Sequence, residues 1–243
     1  MAVKTPPEPS PEKARCAEMI AQIEAEARST ADYTGRSRFD SRVLAAIKRV
    51  PRHEFVPASE KGMAYLNIAL PIGHGQTISQ PYIVALMTDL LALERLDAVV
   101  LEIGTGSGYQ AAVLAQMVRQ VYSVEIIPAI AAKAKARFTR LGITNIEVRV
   151  GDGYYGWPEH APFDGIMVTA AAPQIPPLLV EQLKPGGRLV IPLGRPLDHQ
   201  DLTVAEKSED NQLSLRSVLP VAFVPFQQGR SIEPVEHEEE NSW

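Results

Sequence analysis

The chain predicts an α/β fold: an open, mostly parallel sheet with helices on both faces and an antiparallel strand pair at its carboxyl-terminal end. Three observations predict it. Short apolar runs alternate with helical patterns from Val99 to Leu193, the rhythm of strands joined by crossover helices. Those runs are continuous rather than alternating, as in strands covered on both faces. Beyond them Leu202, Val204, Leu213, Leu215 and Val218 alternate with polar residues around Ser208-Glu209-Asp210-Asn211, the pattern of an antiparallel hairpin.

Residues 1–11 carry Pro6, Pro7, Pro9 and Pro11 and are expected to form a disordered tail. A helix follows from Glu12 to Arg28, with Met19, Ile20, Ile23 and Ala27 at helical spacing, then a polar break from Ser29 to Ser37. Asp40 is an N-cap for a helix carrying Val43, Leu44 and Ile47, which Pro51 stops. The stretch from His53 to Gln76 has mixed signals and reads mostly as loop. Pro81 opens a helix whose Ile83, Val84, Leu86, Met87, Leu90 and Leu91 are too apolar for an exposed surface.

The alternating region then gives strands at Val99–Ile103, Val121–Glu125, Ile146–Val150, Gly165–Thr169 and Arg188–Leu193. Helices at Tyr109–Met117, Pro128–Leu141 and Pro177–Leu183 connect them. Val221 to Phe226 is expected to finish the hairpin sheet. Residues 231–243 form an acidic disordered tail, leaving 12–230 as one domain with an amino-terminal helical addition.

Among 243 residues, 45% hydrophobic and 22% charged is ordinary globular usage and excludes a disordered, collagen-like or coiled-coil chain. No apolar run reaches the ~18 residues of a membrane helix, and no apolar leader precedes the helices, so a cytoplasmic, membrane-free protein is expected. Most of the net charge of -5 sits in the tail, where Glu233, Glu236, Glu238, Glu239 and Glu240 outnumber Arg230. The near-neutral remainder argues against a nucleic-acid partner. The single cysteine, Cys16, excludes an intrachain disulfide and a Cys-rich zinc site. The five histidines lack the spacing of a helical metal pair, so no metal is expected. His53, beside Arg52, reads as a packed structural histidine.

Glu102-Ile103-Gly104-Thr105-Gly106-Ser107-Gly108 ends the first strand of the alternating region and opens a helix. Glycines there permit positive φ and close approach of a ligand to the backbone. Glu125 ends the next strand, about 20 residues on, where a carboxylate can accept both hydroxyls of a ribose. A dinucleotide fingerprint needs glycine where Tyr109 stands, which leaves pyrophosphate placement unsupported. Gly151-Asp152-Gly153 follows the third strand at the same sheet edge, where Asp152 can accept from an adenine amino group. Upstream, Thr77-Ile78-Ser79-Gln80-Pro81 places hydroxyls and free backbone N–H groups at a helix start, a ready site for a carboxylate. The simpler reading makes Ser79 the N-cap of that helix.

The Glu-x-Gly-x-Gly-x-Gly order resembles motif one of the S-adenosylmethionine-dependent methyltransferases. A longer series resembles the protein-L-isoaspartate O-methyltransferase family in its bacterial form. It comprises Val50-Pro51-Arg52-His53-Glu54-Phe55-Val56-Pro57, Thr77 to Pro81, Val100 to Gln110, Gly151-Asp152-Gly153, Thr169-Ala170-Ala171-Ala172-Pro173 and Phe223-Val224-Pro225, in order from about Asp40 to Phe226.

The resemblance implies a class I methyltransferase-like (Rossmann-like) fold and S-adenosyl-L-methionine as cofactor. The methyl group would pass to the free α-carboxylate of L-isoaspartyl residues in damaged proteins and peptides, and the ester would collapse to a succinimide. It implies Ser79 as the active-site residue, with Gly104, Gly106, Glu125 and Asp152 at cofactor positions. Thr77, Gln80, Glu102, Thr105, Gly108 and Gly153 complete the candidate cofactor set, and a monomer is expected. The Glu24–Arg38 link is longer than in the family, and Leu66 stands where many relatives are acidic. The alternatives are a methyltransferase acting on a small molecule or RNA, and a non-catalytic cofactor-binding protein.

Methyl transfer to a carboxylate joins an anion to a sulfonium cation. The acceptor is already ionised at neutral pH and needs no general base. Positioning and desolvation remain as the enzyme's task, with Ser79 orienting the carboxylate and Thr77 and Gln80 shaping the same wall.

Overall fold

Strands that are apolar on both faces need two covering layers, and the helices supply them. The computed structural model describes residues 10–195, 199–227 and 229. The tail expectations for 1–9 and 231–243 lie outside these residues. Helix α1 spans Pro11–Ser29 and starts inside the stretch expected as tail, because the Ser10 side chain accepts from Lys13 N and caps it. It buries Met19, Ile20, Ile23 and Ala27. The expected polar break contains a short helix, α2 (Ala31–Thr34), ended by Gly35 in the left-handed region at φ 68°. Helix α3 (Ser41–Arg49) is capped by Asp40, which accepts from Arg42 N at 2.8 Å.

The segment read as loop is more ordered than expected. It holds 3-10 turns at Arg52–Glu54 and Ala58–Met63, then a hairpin of β1 (Leu70–Gly73) and β2 (Gln76–Ile78). His74 and Gly75 at φ 55° and 69° make its two-residue turn, the geometry that suits strand twist. Helix α4 (Pro81–Leu90) follows and is buried almost throughout.

The alternating region forms β3 (Val99–Ile103), α5 (Tyr109–Ala115), β4 (Gln120–Glu125), α6 (Pro128–Arg140), β5 (Ile146–Val150), β6 (Phe163–Val168), α7 (Pro177–Glu181) and β7 (Leu183–Gly194). The antiparallel pair is β8 (Gln200–Lys207) and β9 (Leu213–Pro220). The seven strands lie in the order β5-β4-β3-β6-β7-β8-β9. Pairs from β5 through β7 are parallel, while β7/β8 and β8/β9 are antiparallel. Strand order therefore reverses at β3, which has β4 on one side and β6 on the other. The crevice beyond the carboxyl ends at such a reversal is where open α/β sheets bind ligands.

Side chains of β3 divide between the faces as the strand period requires. Val100 joins the core under α1, α3, α4, α5 and α6, whereas Leu101 and Ile103 join a second core with Trp157, Phe163 and Leu179. Each large apolar side chain so buried stabilises the fold by ~1.5–3 kcal/mol.

Val221 to Phe226 is not a strand, contrary to the expectation. It makes one parallel bridge, in which Ala171 N donates to Val224 O and Phe226 N donates to Ala171 O, each at 2.8 Å. Pro220 and Pro225 lack the N–H groups that a continued ladder needs. Among the described residues no helix is long and apolar enough to cross a membrane.

Candidate active site

The carboxyl ends of β3 and β4, the β1/β2 hairpin and the Val224–Gln227 segment line an open cleft. Gly104, Thr105 and Gly106 form its floor, Glu125, Ile126 and Ile127 one wall, and Thr77 and Ser79 another. The floor is backbone because the turn demands it. Gly104 sits at φ 94°, and a Cβ there would run into the Thr169 hydroxyl. That hydroxyl donates to Gly104 O at 2.7 Å and fixes the loop to the end of β6.

Glu125 is buried at the tip of β4. Its Oε2 accepts from Gly106 N at 2.8 Å and its Oε1 from Ile127 N at 3.0 Å. Each oxygen keeps acceptor capacity, since an ionised carboxylate offers about four sites. Gly153 also lines the cleft, where its missing side chain makes room for Ile103. The neighbouring apolar groups of Ile103, Val124, Ile127 and Phe226 suit the face of a heterocycle.

Four expected cofactor residues stand elsewhere. Glu102 is fully buried behind the loop, 2.5 Å from the Ser123 hydroxyl, which in turn lies 2.6 Å from that of Thr105. Burial pushes the Glu102 carboxyl up to about 8, so it is mostly protonated at neutral pH. Gly108 is not among the residues lining the cleft; it sits at the start of α5, where a Cβ would run into Phe138. Asp152 is not among the residues lining the cleft, and its oxygens accept from Tyr154 N at 2.8 Å and Gly229 N at 2.9 Å. Gln80 turns away from the cleft and donates to Glu26.

Ser79 is not a helix cap. Gln80 holds the N-cap position of α4, and Asn67 supplies the cap from a distance, its Oδ1 accepting from Tyr82 N at 2.9 Å. Pro81 has no N–H and Val84 N goes to Gln80 O, so of the first-turn donors Ile83 N alone lacks a partner among the described residues. The helix end therefore offers less to a carboxylate than its sequence implied. The Ser79 hydroxyl makes no hydrogen bond to any described residue, while its carbonyl accepts from Arg52 Nη2 at 2.8 Å.

A second, more apolar groove lies beside the first, between Tyr82, Ile83 and Leu219 to Val224. Thr77, Ser79, Thr169 and Val224 line both cavities. Thr169 and Val224 escaped the sequence reading as site residues, although both fall in motifs it singled out. His53 is a structural residue as expected, with Nδ1 2.8 Å from Tyr65 OH.

A doubly wound sheet with a glycine floor, an acidic strand tip and an adjoining apolar groove at its reversal point defines a class I methyltransferase. The model of the family described as Protein-L-isoaspartate(D-aspartate) O-methyltransferase (PCMT) matches residues 32–231. The chain belongs to this family. Protein-L-isoaspartate O-methyltransferase 2 of Syntrophobacter fumaroxidans is 59% identical over 213 residues, 88% of this chain and 86% of that one. Protein-L-isoaspartate O-methyltransferase 2 of Polaromonas sp. is 56% identical over 208 residues, 86% of this chain and 98% of that one. A solved protein-L-isoaspartate O-methyltransferase superposes with a TM-score of 0.75 at 30% identity, covering 86% of this chain and 65% of that one. A Plasmodium falciparum structure in complex with S-adenosyl-L-homocysteine has the same fold, with a TM-score of 0.74 at 21% identity and coverage of 90% and 99%.

Proposed function

We propose that the chain methylates the free α-carboxylate of L-isoaspartyl residues in damaged proteins and peptides, using S-adenosyl-L-methionine. The observation that carries the reading is the shared wall. Ser79 borders both the nucleoside cleft and the second groove, and its hydroxyl has no other partner among the described residues.

The cleft residues fit this cofactor: Glu125 faces where a ribose would lie, Gly104 and Gly106 leave the floor open, and Ile127 and Phe226 offer apolar faces. Bound there, the cofactor supplies an electrophilic methyl group. Ser79 donates a hydrogen bond that orients the acceptor carboxylate, and Thr77 closes the same wall. The apolar lining of the second groove strips water from the carboxylate, which hydration would otherwise hold back from reaction. No side chain has to remove a proton, because the acceptor is an anion at neutral pH.

The groove also receives the substrate chain. The Gln200 side chain accepts from Phe223 N at 2.7 Å and donates to Phe223 O at 3.3 Å, so the backbone groups of that groove residue are already paired. The proposal takes the monomer, working in the cytoplasm, as the functional unit.

The test pairs two peptides that differ only in L-isoaspartyl or normal aspartyl linkage, with radiolabelled S-adenosylmethionine. Base-labile methyl incorporation into the isoaspartyl peptide alone is the expected result. Equal labelling of both, or none with the cofactor bound, would overturn it.

A further inference from the structure

Among the described residues one charged side chain lines the second groove, and it comes from the amino-terminal helix. The Glu26 carboxylate reaches in from α1 and accepts from Asn67 Nδ2 at 2.5 Å and from Gln80 Nε2 at 3.1 Å. Both donors are neutral amides. No Lys, Arg or His among the described residues pairs with Glu26 or lines the groove. Its neighbours across the groove include Ile68, Ile83, Leu219 and Phe223.

Two amides orient a carboxylate without neutralising it. A half-buried negative charge in an apolar groove is stabilised by a counter-charge, and the described residues provide none. Gln80 directly follows Ser79 and its side chain touches Glu26. The carboxylate therefore lies within about three residues of extended chain from Ser79, at ~3.3 Å per residue.

Resting on the function proposed above, we propose that Glu26 is a specificity-determining subsite for a cationic side chain, Lys or Arg, within three positions of the isoaspartyl residue. An acidic residue at the same place is disfavoured by like charge. Asn67 has a double part: its amide orients Glu26 while its carbonyl caps α4, so the subsite and the helix that follows Ser79 share one side chain.

The experiment uses isoaspartyl peptides with Lys, Gln or Glu scanned through the three positions on each side, methylated by wild type and by Glu26→Gln at low salt. Wild type is expected to favour Lys over Gln at one position by about tenfold in kcat/KM, the low end of charge-pair couplings across interfaces. In Glu26→Gln the Lys-to-Gln ratio falls to near one. The ratio is taken within one preparation, so a partly unfolded variant moves both rates together and leaves it intact. A wild-type ratio near one at every position, or a preference that survives in Glu26→Gln, overturns the subsite. Failure of every isoaspartyl peptide to be methylated overturns the underlying function instead.

Discussion

Arg52, wholly buried, holds Ser79 by its backbone: Nη2 donates to the Ser79 carbonyl at 2.8 Å. The same guanidinium donates to Ala64 O at 2.9 Å and Ile68 O at 3.3 Å and lies 4.8 Å above the Tyr109 ring centroid. It thus ties the segment before α4 to the first residue of α5. Burial lowers its pKa to about 10, which leaves it charged at neutral pH. Lysine is a point charge without the planar fork. Arg52→Lys is expected to lower kcat by about tenfold while cofactor affinity stays within about twofold, since misplacement costs rate before binding. Calorimetry and single-turnover methylation check it; an unchanged kcat would show that Ser79 is held by other means.

Ser79→Ala removes the shared-wall hydroxyl that is assigned to the acceptor. Turnover should fall more than about tenfold with cofactor affinity preserved. Methylation kinetics beside calorimetric titration separate the two effects, and full turnover in the variant would end the orienting role.

Glu125 and Asp152 should part company. Glu125→Ala is expected to weaken cofactor binding by ~1–3 kcal/mol, the usual cost of losing hydrogen bonds to a charged group. Asp152→Ala instead removes a cap on the 3-10 turn Gly153–Tyr155, so ~0.5–2 kcal/mol of stability is expected to go with it. Titration calorimetry and urea unfolding on both variants test the contrast, which equal losses of cofactor affinity would erase.

Glu102 sets a pH dependence of stability. Its folded pKa of about 8 lies above the ordinary glutamate value of ~4.3. Between these values the folded state holds a proton that the unfolded state has lost. Its contribution to stability is therefore full below about pH 4 and falls as pH rises, by up to ~1.4 kcal/mol per unit, until the slope flattens above about pH 8. Glu102→Gln, neutral at every pH, should lose this slope. Urea unfolding from pH 5 to 8 measures it, and parallel curves for the two proteins would contradict the assignment.

Gly104→Ala should strain the loop twice, through its positive φ and through a Cβ that meets Thr169. A loss of at least ~1–2 kcal/mol in stability is expected, with weaker cofactor binding. Gly142→Ala is the control for φ alone, because a Cβ at φ 68° there meets nothing within 4 Å. Equal losses in the two variants would remove the steric part.

The sheet was legible because burial on two faces writes itself as unbroken apolar runs. The ends of β3 and β5 agree with the sequence reading to the residue. The β1/β2 hairpin was not legible, since strands of four and three residues containing Pro71 leave no alternation to count. Val221 to Phe226 misled because its apolar side chains are half-buried against both cores without a ladder beneath them. Glu102 was misread for a related reason. Its motif marks the strand end, but strand alternation turns it to the face of Val100, away from the cleft. The pairs that finish the site, Arg52 with Ser79 and Glu26 with Gln80, are 27 and 54 residues apart. No local pattern announces contacts at that range.

Because Thr77, Ser79, Thr169 and Val224 belong to both cavities, a molecule seated in one becomes part of the surface presented to the other. Linkage then makes the two affinities reciprocal. Whatever factor the nucleoside adds to the affinity for peptide, the peptide must add to the affinity for the nucleoside. The spent nucleoside, having lost its positive charge along with its methyl group, offers the carboxylate a different partner and carries a different factor. The common wall is thereby the place where turnover registers as a change in grip.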